Sequence, residues 1–253
     1  MSSLDNDGNT QEVRLGFGDL RAVLRLGWAD FRAAPVYGLF FAGVYVLAGL
    51  ILLQLGAGMF TWTLTLSLGF PLVAPFLAVG LYEVSRRLER GAPLVFSEIL
   101  GVIWQERTRQ IPWAGAIIVI YFLFWSFFAH MLFALFMGPS ALLGPPDDIT
   151  HYLTGRGLAL TLTELASGAV LAFLLFALTA VSLPMLLDRE VDFVTAMLTS
   201  LRVTRDNLRV MLVWACMIAV LTLLALVPWF LGLFLVLPIL GHASWHLYRR
   251  VVP

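Results

Sequence analysis

The chain contains no lysine, a single cysteine and few charges of either sign. Charged side chains make up 13% of its 253 residues, against roughly a quarter in an ordinary soluble domain, and 60% are hydrophobic. That balance excludes a soluble globular protein and identifies an integral membrane protein. The lone Cys216 sits in an apolar run and excludes an intrachain disulfide. The start, MSSLDNDGNTQ, lacks a basic segment ahead of an apolar run, so no cleaved leader is expected and residues 1–15 read as a polar cytoplasmic tail. Nor is there a His-Glu-x-x-His, a Gly-x-Ser-x-Gly, a phosphate loop or a dinucleotide fingerprint. Neither catalysis nor a cofactor is expected, and no nucleic acid partner.

Apolar runs of about twenty residues, the length needed to cross the hydrocarbon, occur at Val36–Ala57, Trp62–Ser85, Trp113–Met137, Leu165–Leu187, Val210–Val227 and Trp229–Tyr248. The expected fold is therefore all-α, a six-helix membrane bundle in three hairpins, with Gly56-Ala57-Gly58 and Pro228 marking tight outer turns. Every basic residue is an arginine, and fifteen of the sixteen fall on one side of this arrangement, only Arg156 on the other. Because cytoplasmic loops retain basic residues, both termini are expected in the cytoplasm, with 138–157 as the one sizeable outer loop. The expected location is the inner membrane of a bacterium.

The segments before spans one, three and five carry helix-period apolar residues: Phe17, Leu20, Leu24, Trp28 and Phe31; Phe96, Ile99, Leu100 and Ile103; Val194, Met197, Leu198 and Leu201. Each is expected to lie in the inner headgroup layer, apolar face down. A unit of one surface helix and one hairpin then repeats, over 16–93, 94–190 and 191–253. PFLAVGLYEVSRR (Pro75 to Arg87) and PILGHASWHLYRR (Pro238 to Arg250) close the first and last units in the same direction, which makes the repeat parallel. Glu83 and His246 occupy equivalent places, three residues before each arginine pair, and are expected to meet as a structural polar pair. Arg21, Arg25, Arg86, Arg87, Arg249 and Arg250 are expected to contact lipid headgroups.

FPLVAPFLAVGLYEVSRRLERG (Phe70 to Gly91), SLPMLLDRE (Ser182 to Glu190) and LPILGHASWHLYRR (Leu237 to Arg250) resemble the motifs of a bacterial integral membrane family known only as a domain of unknown function. The resemblance runs from about Leu15 onward. It implies a multi-helix inner-membrane protein and no particular activity.

Four histidines remain. His242 and His246, one turn apart, could offer two imidazoles to a metal, but lack further ligands at their depth, so hydrogen-bonded structural roles are expected. At 1.5 Å per residue His130 stands about 26 Å from Trp113, too far to share an ion with them. His151, after Asp147 and Asp148, reads as part of a solvated loop. Glu164 is either interfacial or a partner for His130. Two functions fit: an accessory, scaffold or assembly subunit that binds another membrane complex or itself within the bilayer, or a small transporter or channel. The latter would use Gln54, Thr61, Thr63, Thr65 and Ser67 with the Pro71 and Pro75 interruptions. The near absence of intramembrane charge favours the first.

Overall fold

A computed structural model describes residues 14–55, 70–138 and 152–252, and its long elements there are all helices. Helices α1 (Phe17–Ala33) and α2 (Pro35–Gln54) are separated by Ala34 alone. Proline at the first position of α2 has no N–H to extend the α1 ladder, so the chain bends there and starts afresh. Next come α3 (Phe70–Glu89), α4 (Phe96–Glu106) and α5 (Ile111–Met137), the last stopped by Gly138 at φ 91°. Then α6 (Gly155–Thr179) passes through Ala180 and Val181 into α7 (Ser182–Asp188). Ser200 stitches that interruption, donating its hydroxyl to the Ala177 carbonyl at 2.7 Å and accepting from the Val181 N–H at 3.1 Å. Ser200 lies on α8 (Phe193–Asp206), whose N-cap Asp192 accepts from the Thr195 N–H at 2.9 Å.

Helices α9 (Leu208–Leu226) and α10 (Leu233–Val251) are joined by a turn in which Trp229 and Phe230 take left-handed φ of 48° and 65°. Gly232 closes it, because a Cβ there would lie 2.6 Å from the Ala225 Cα. Backbone contact this close brings the two helices together directly after Pro228.

Among the described residues four segments are long and apolar enough to cross a membrane: 35–54, 111–137, 155–188 and 208–226. They correspond to four of the six expected spans, although the third starts ten residues ahead of the expected Leu165. The remaining two expected spans correspond to α3 and α10. The N-terminal part of the first, with Thr63, Thr65 and Ser67, lies outside the described residues, as do Thr61, Asp147, Asp148 and His151. Helix α10 is diluted by His242, His246, Arg249 and Arg250.

The core sits where the C-terminal halves of α3 and α10 converge on α7. Val79 to Ser85, Ser182 to Leu187, and Leu240, His242, Ala243, Trp245, Leu247 and Tyr248 are all buried. These are the stretches singled out in the sequence, and they hold Trp245 and Tyr248, which with Trp214 of the neighbouring α9 are the largest fully buried side chains among the described residues. Around this centre α1 packs along α10, α4 along α3, and α8 along α6 and α7.

Helix α1 differs from its expected role. Its seam is Leu20, Val23 and Gly27, all buried, and a Cβ on Gly27 would stand 2.5 Å from the Ile239 carbonyl oxygen. Phe17 and Trp28 remain 58% and 42% exposed. The apolar residues are thus divided: a narrow stripe locks onto α10 and only the flanks are left for lipid. Glycine at position 27 causes this, by permitting backbone contact along a face that hydrophobic spacing alone assigns to the bilayer.

Candidate functional site

The polar residues of the converging helices form a connected junction. Asp30, three residues past Gly27 on the α1 seam, places its Oδ2 2.7 Å from the Ser85 hydroxyl and 2.8 Å from His246 Nε2. Ser85 in turn lies 2.8 Å from His242 Nδ1. A serine hydroxyl has one hydrogen to give, and the carboxylate takes it. His242 must therefore donate from Nδ1, which leaves its enclosed Nε2 as an acceptor without a hydrogen bond among the described residues. One aspartate from α1 thereby ties α3 to α10, the two helices that carry the repeated stretch.

A second cluster fastens the helix ends. Asp188 at the end of α7 accepts from the Tyr248 hydroxyl at 3.0 Å and pairs with Arg90 at 3.2 Å and Arg249 at 3.5 Å. Glu89 at the end of α3 accepts from the Trp245 indole at 3.1 Å and from Arg249 at 3.2 Å. Arg86 donates to the Leu187 carbonyl at 3.1 Å, and Arg250 pairs with Asp19. Pairs of this kind contribute little individually when exposed. Here they close around the buried Trp245 and Tyr248 rings, so they fix the register of a packed centre.

The expected Glu83 to His246 contact does not form. Glu83 is held by its own helix, with Arg86 at 2.5 Å and Arg87 at 2.7 Å, and Arg87 also reaches Glu98 of α4. His246 is taken by Asp30 instead. The repeated helices do touch, through Ser85 and His242 and where Gly241 lies against Leu81. The i+3 and i+4 arginines neutralise Glu83 within one turn, which depth matching alone did not reveal.

The expected headgroup arginines divide as well. Arg86 and Arg87 have side chains only 18% and 16% exposed and are committed to protein carboxylates and carbonyls, and Arg249 and Arg250 are paired. Arg21 and Arg25 stay exposed on α1 and make no hydrogen bond or ion pair among the described residues. Asp30, Ser85, Glu89 and Asp188 were not anticipated. The sequence did carry a signal for Asp30: Asp19, Val23, Gly27 and Asp30 recur at four, four and three residues, a single stripe with an acid at each end.

Away from this junction, His130 is exposed on α5, its Nδ1 2.6 Å from the Ser126 carbonyl, and it lies within electrostatic reach of half-buried Glu164 on α6. On α4, Glu106 is buried with one carboxylate oxygen lacking a hydrogen bond, while Arg109 meets the other at 2.8 Å. Burial raises its pKa above the ordinary glutamate range, and Arg109 works against that shift. Among the described residues no three His, Cys, Asp or Glu side chains gather as metal ligands.

No curated protein and no solved structure matches the chain. Residues 63–188 match the family described as predicted integral membrane protein (DUF2189). That stretch holds the first arginine pair, the α5 and α6 helices and the SLPMLLD segment. Over this stretch, about half of its length, the chain is matched to this family of integral membrane proteins of unknown function.

Proposed function

We propose that the chain is a non-catalytic subunit of a membrane complex, in the inner membrane of a bacterium, and that it docks a partner through the α5–α6 hairpin. The observation that carries this is His130. It is an ionisable side chain within the hydrocarbon span, where such groups ordinarily face a bundle interior, yet here it is exposed, beside Glu164. Ile120, Phe124, Phe127, Met131 and Leu135 continue the bared surface at three- and four-residue spacing. A second membrane protein that covered this face would supply both apolar contact and a polar partner.

The rest of the bundle supports the same reading. Its buried polar groups at the inner end tie helices to one another, which suits a rigid support. In this reading all six apolar segments cross, α3 and α10 included, in three parallel units of surface helix and hairpin. The termini and the clamped helix ends are cytoplasmic, as the arginine distribution requires. The packing of α1 on α10, α4 on α3 and α8 on α6 and α7 has each surface helix leaning on another unit's hairpin.

Purification from native membrane in mild detergent, with identification of the co-purifying proteins, tests the function. A stoichiometric partner lost on His130→Ala with Glu164→Gln, while the chain itself stays folded, is the expected result. A monodisperse chain with no partner, or a partner indifferent to both substitutions, contradicts it. Recovery only as a homo-oligomer sensitive to them would make the surface one of self-association.

A further inference from the structure

The outward face of α1 is cationic without compensation. Both of its acids turn inward, Asp19 to Arg250 and Asp30 to Ser85 and His246. Its three arginines, Arg21, Arg25 and Arg32, are exposed and make no hydrogen bond or ion pair among the described residues. Elsewhere at the clamped end Arg86, Arg87, Arg90, Arg249 and Arg250 are all matched by carboxylates. Between two of the free arginines runs an open groove of about 440 Å³, lined by Arg25, Trp28, Ala29, Arg32 and Ala33. Two alanines give it a floor with no long side chain. Trp28 forms its wall and is braced by Phe31, the ring centres 5.8 Å apart.

The groove's position is set by the chain itself. Ala33 is followed by Ala34 and then by the membrane-crossing α2, whose first two turns bare Val36, Leu39 and Phe40. Arg32 is three residues from the start of that span, about 5 Å at the helical rise, so it stands at the headgroup level whichever way the span runs. Arg25 lies seven residues further out, about 10 Å along the axis. Exposed tryptophan at this level is suited to the membrane interface.

We propose that this groove binds one anionic phospholipid, its phosphate held between Arg25 and Arg32 and its glycerol against Trp28. The site goes beyond the partner-docking role and lies on a different helix, so either can fail alone. A zwitterionic lipid brings a choline cation into the same space, where two unpaired guanidinium groups repel it. A free phosphate has the charge but no acyl chains to lie along Val36, Leu39 and Phe40. Headgroup charge and membrane tethering are both required.

Native mass spectrometry of the full chain in detergent, titrated with dioleoyl phosphatidylglycerol or dioleoyl phosphatidylcholine, tests the site. Wild type should hold a phosphatidylglycerol molecule selectively. Arg25→Gln or Arg32→Gln should weaken that binding about 5-fold each, and the pair about 30-fold, from the worth of one basic residue at an anionic surface. Both arginines are exposed and unpaired, so the fold should survive. Ala29→Glu is an independent variant that puts a carboxylate on the groove floor and should abolish binding. Equal retention of phosphatidylcholine, or unchanged binding by both the double variant and Ala29→Glu, overturns the proposal. So does displacement of the lipid by millimolar inorganic phosphate, which would make this a site for a soluble anion.

Discussion

Asp30 is the residue on which the junction turns, because its carboxylate satisfies Ser85 and His246 directly and His242 through Ser85. Replacing it with alanine strands these groups where water does not reach the innermost of them. We expect Asp30→Ala to lower stability by about 2 kcal/mol, and His246→Leu by less, since Asp30 then still holds Ser85. Thermal unfolding in detergent measures both. In the same assay Glu83→Gln and His246→Leu should be additive, because the two residues have separate partners. Coupling between them would reinstate the direct pair. Glu106 provides a pH-dependent counterpart. Its pKa is raised by burial, so its favourable contribution is present below the unfolded glutamate value and is lost as pH rises through the folded one. Glu106→Gln should therefore gain thermal stability relative to wild type at pH 8 and lose that advantage near pH 4. An advantage that grows toward acid would contradict the sign.

At the scale of elements, the seam between α1 and α10 decides how the amphipathic segments are used. A side chain at position 27 has no room beside the Ile239 carbonyl and the Ala243 nitrogen. Gly27→Val should cost about 1–3 kcal/mol and raise amide hydrogen exchange along α1 before the rest of the bundle is affected. Unaltered protection in α1 would mean that it does not rely on this contact. The same seam shows what was legible in the sequence. The helix itself was, since Phe17, Leu20, Leu24, Trp28 and Phe31 have helical spacing. Its buried face was not, because hydrophobic period treats glycine and aspartate as absences, and here they form the contact. The early start of α6 was obscured similarly: Thr161 and Thr163 lower the hydropathy, yet each donates its hydroxyl to a carbonyl four residues back and costs the helix little. The repeated stretches were legible as a pair, and they do end up side by side in the core. The residues that join them were harder to find because partners such as Asp30 and Asp188 come from outside the repeated sequence.

For the whole molecule, membrane residence follows from composition, from the four long apolar helices and from the family. The proposed orientation puts the charge-clamped helix ends toward the side that retains arginine. In the proposed orientation Ser97, at the start of α4, is expected inside the cell, and position 148, in the outer loop that the sequence predicts, is expected outside. The most direct measurement is cysteine accessibility in intact cells, with Cys216→Ser as background and single cysteines at 97 and 148. An impermeant thiol reagent should label position 148 and reach position 97 only after the membrane is opened. Labelling of 97 with protection of 148 would contradict the orientation, and with it the assignment of the clamped end to the cytoplasm.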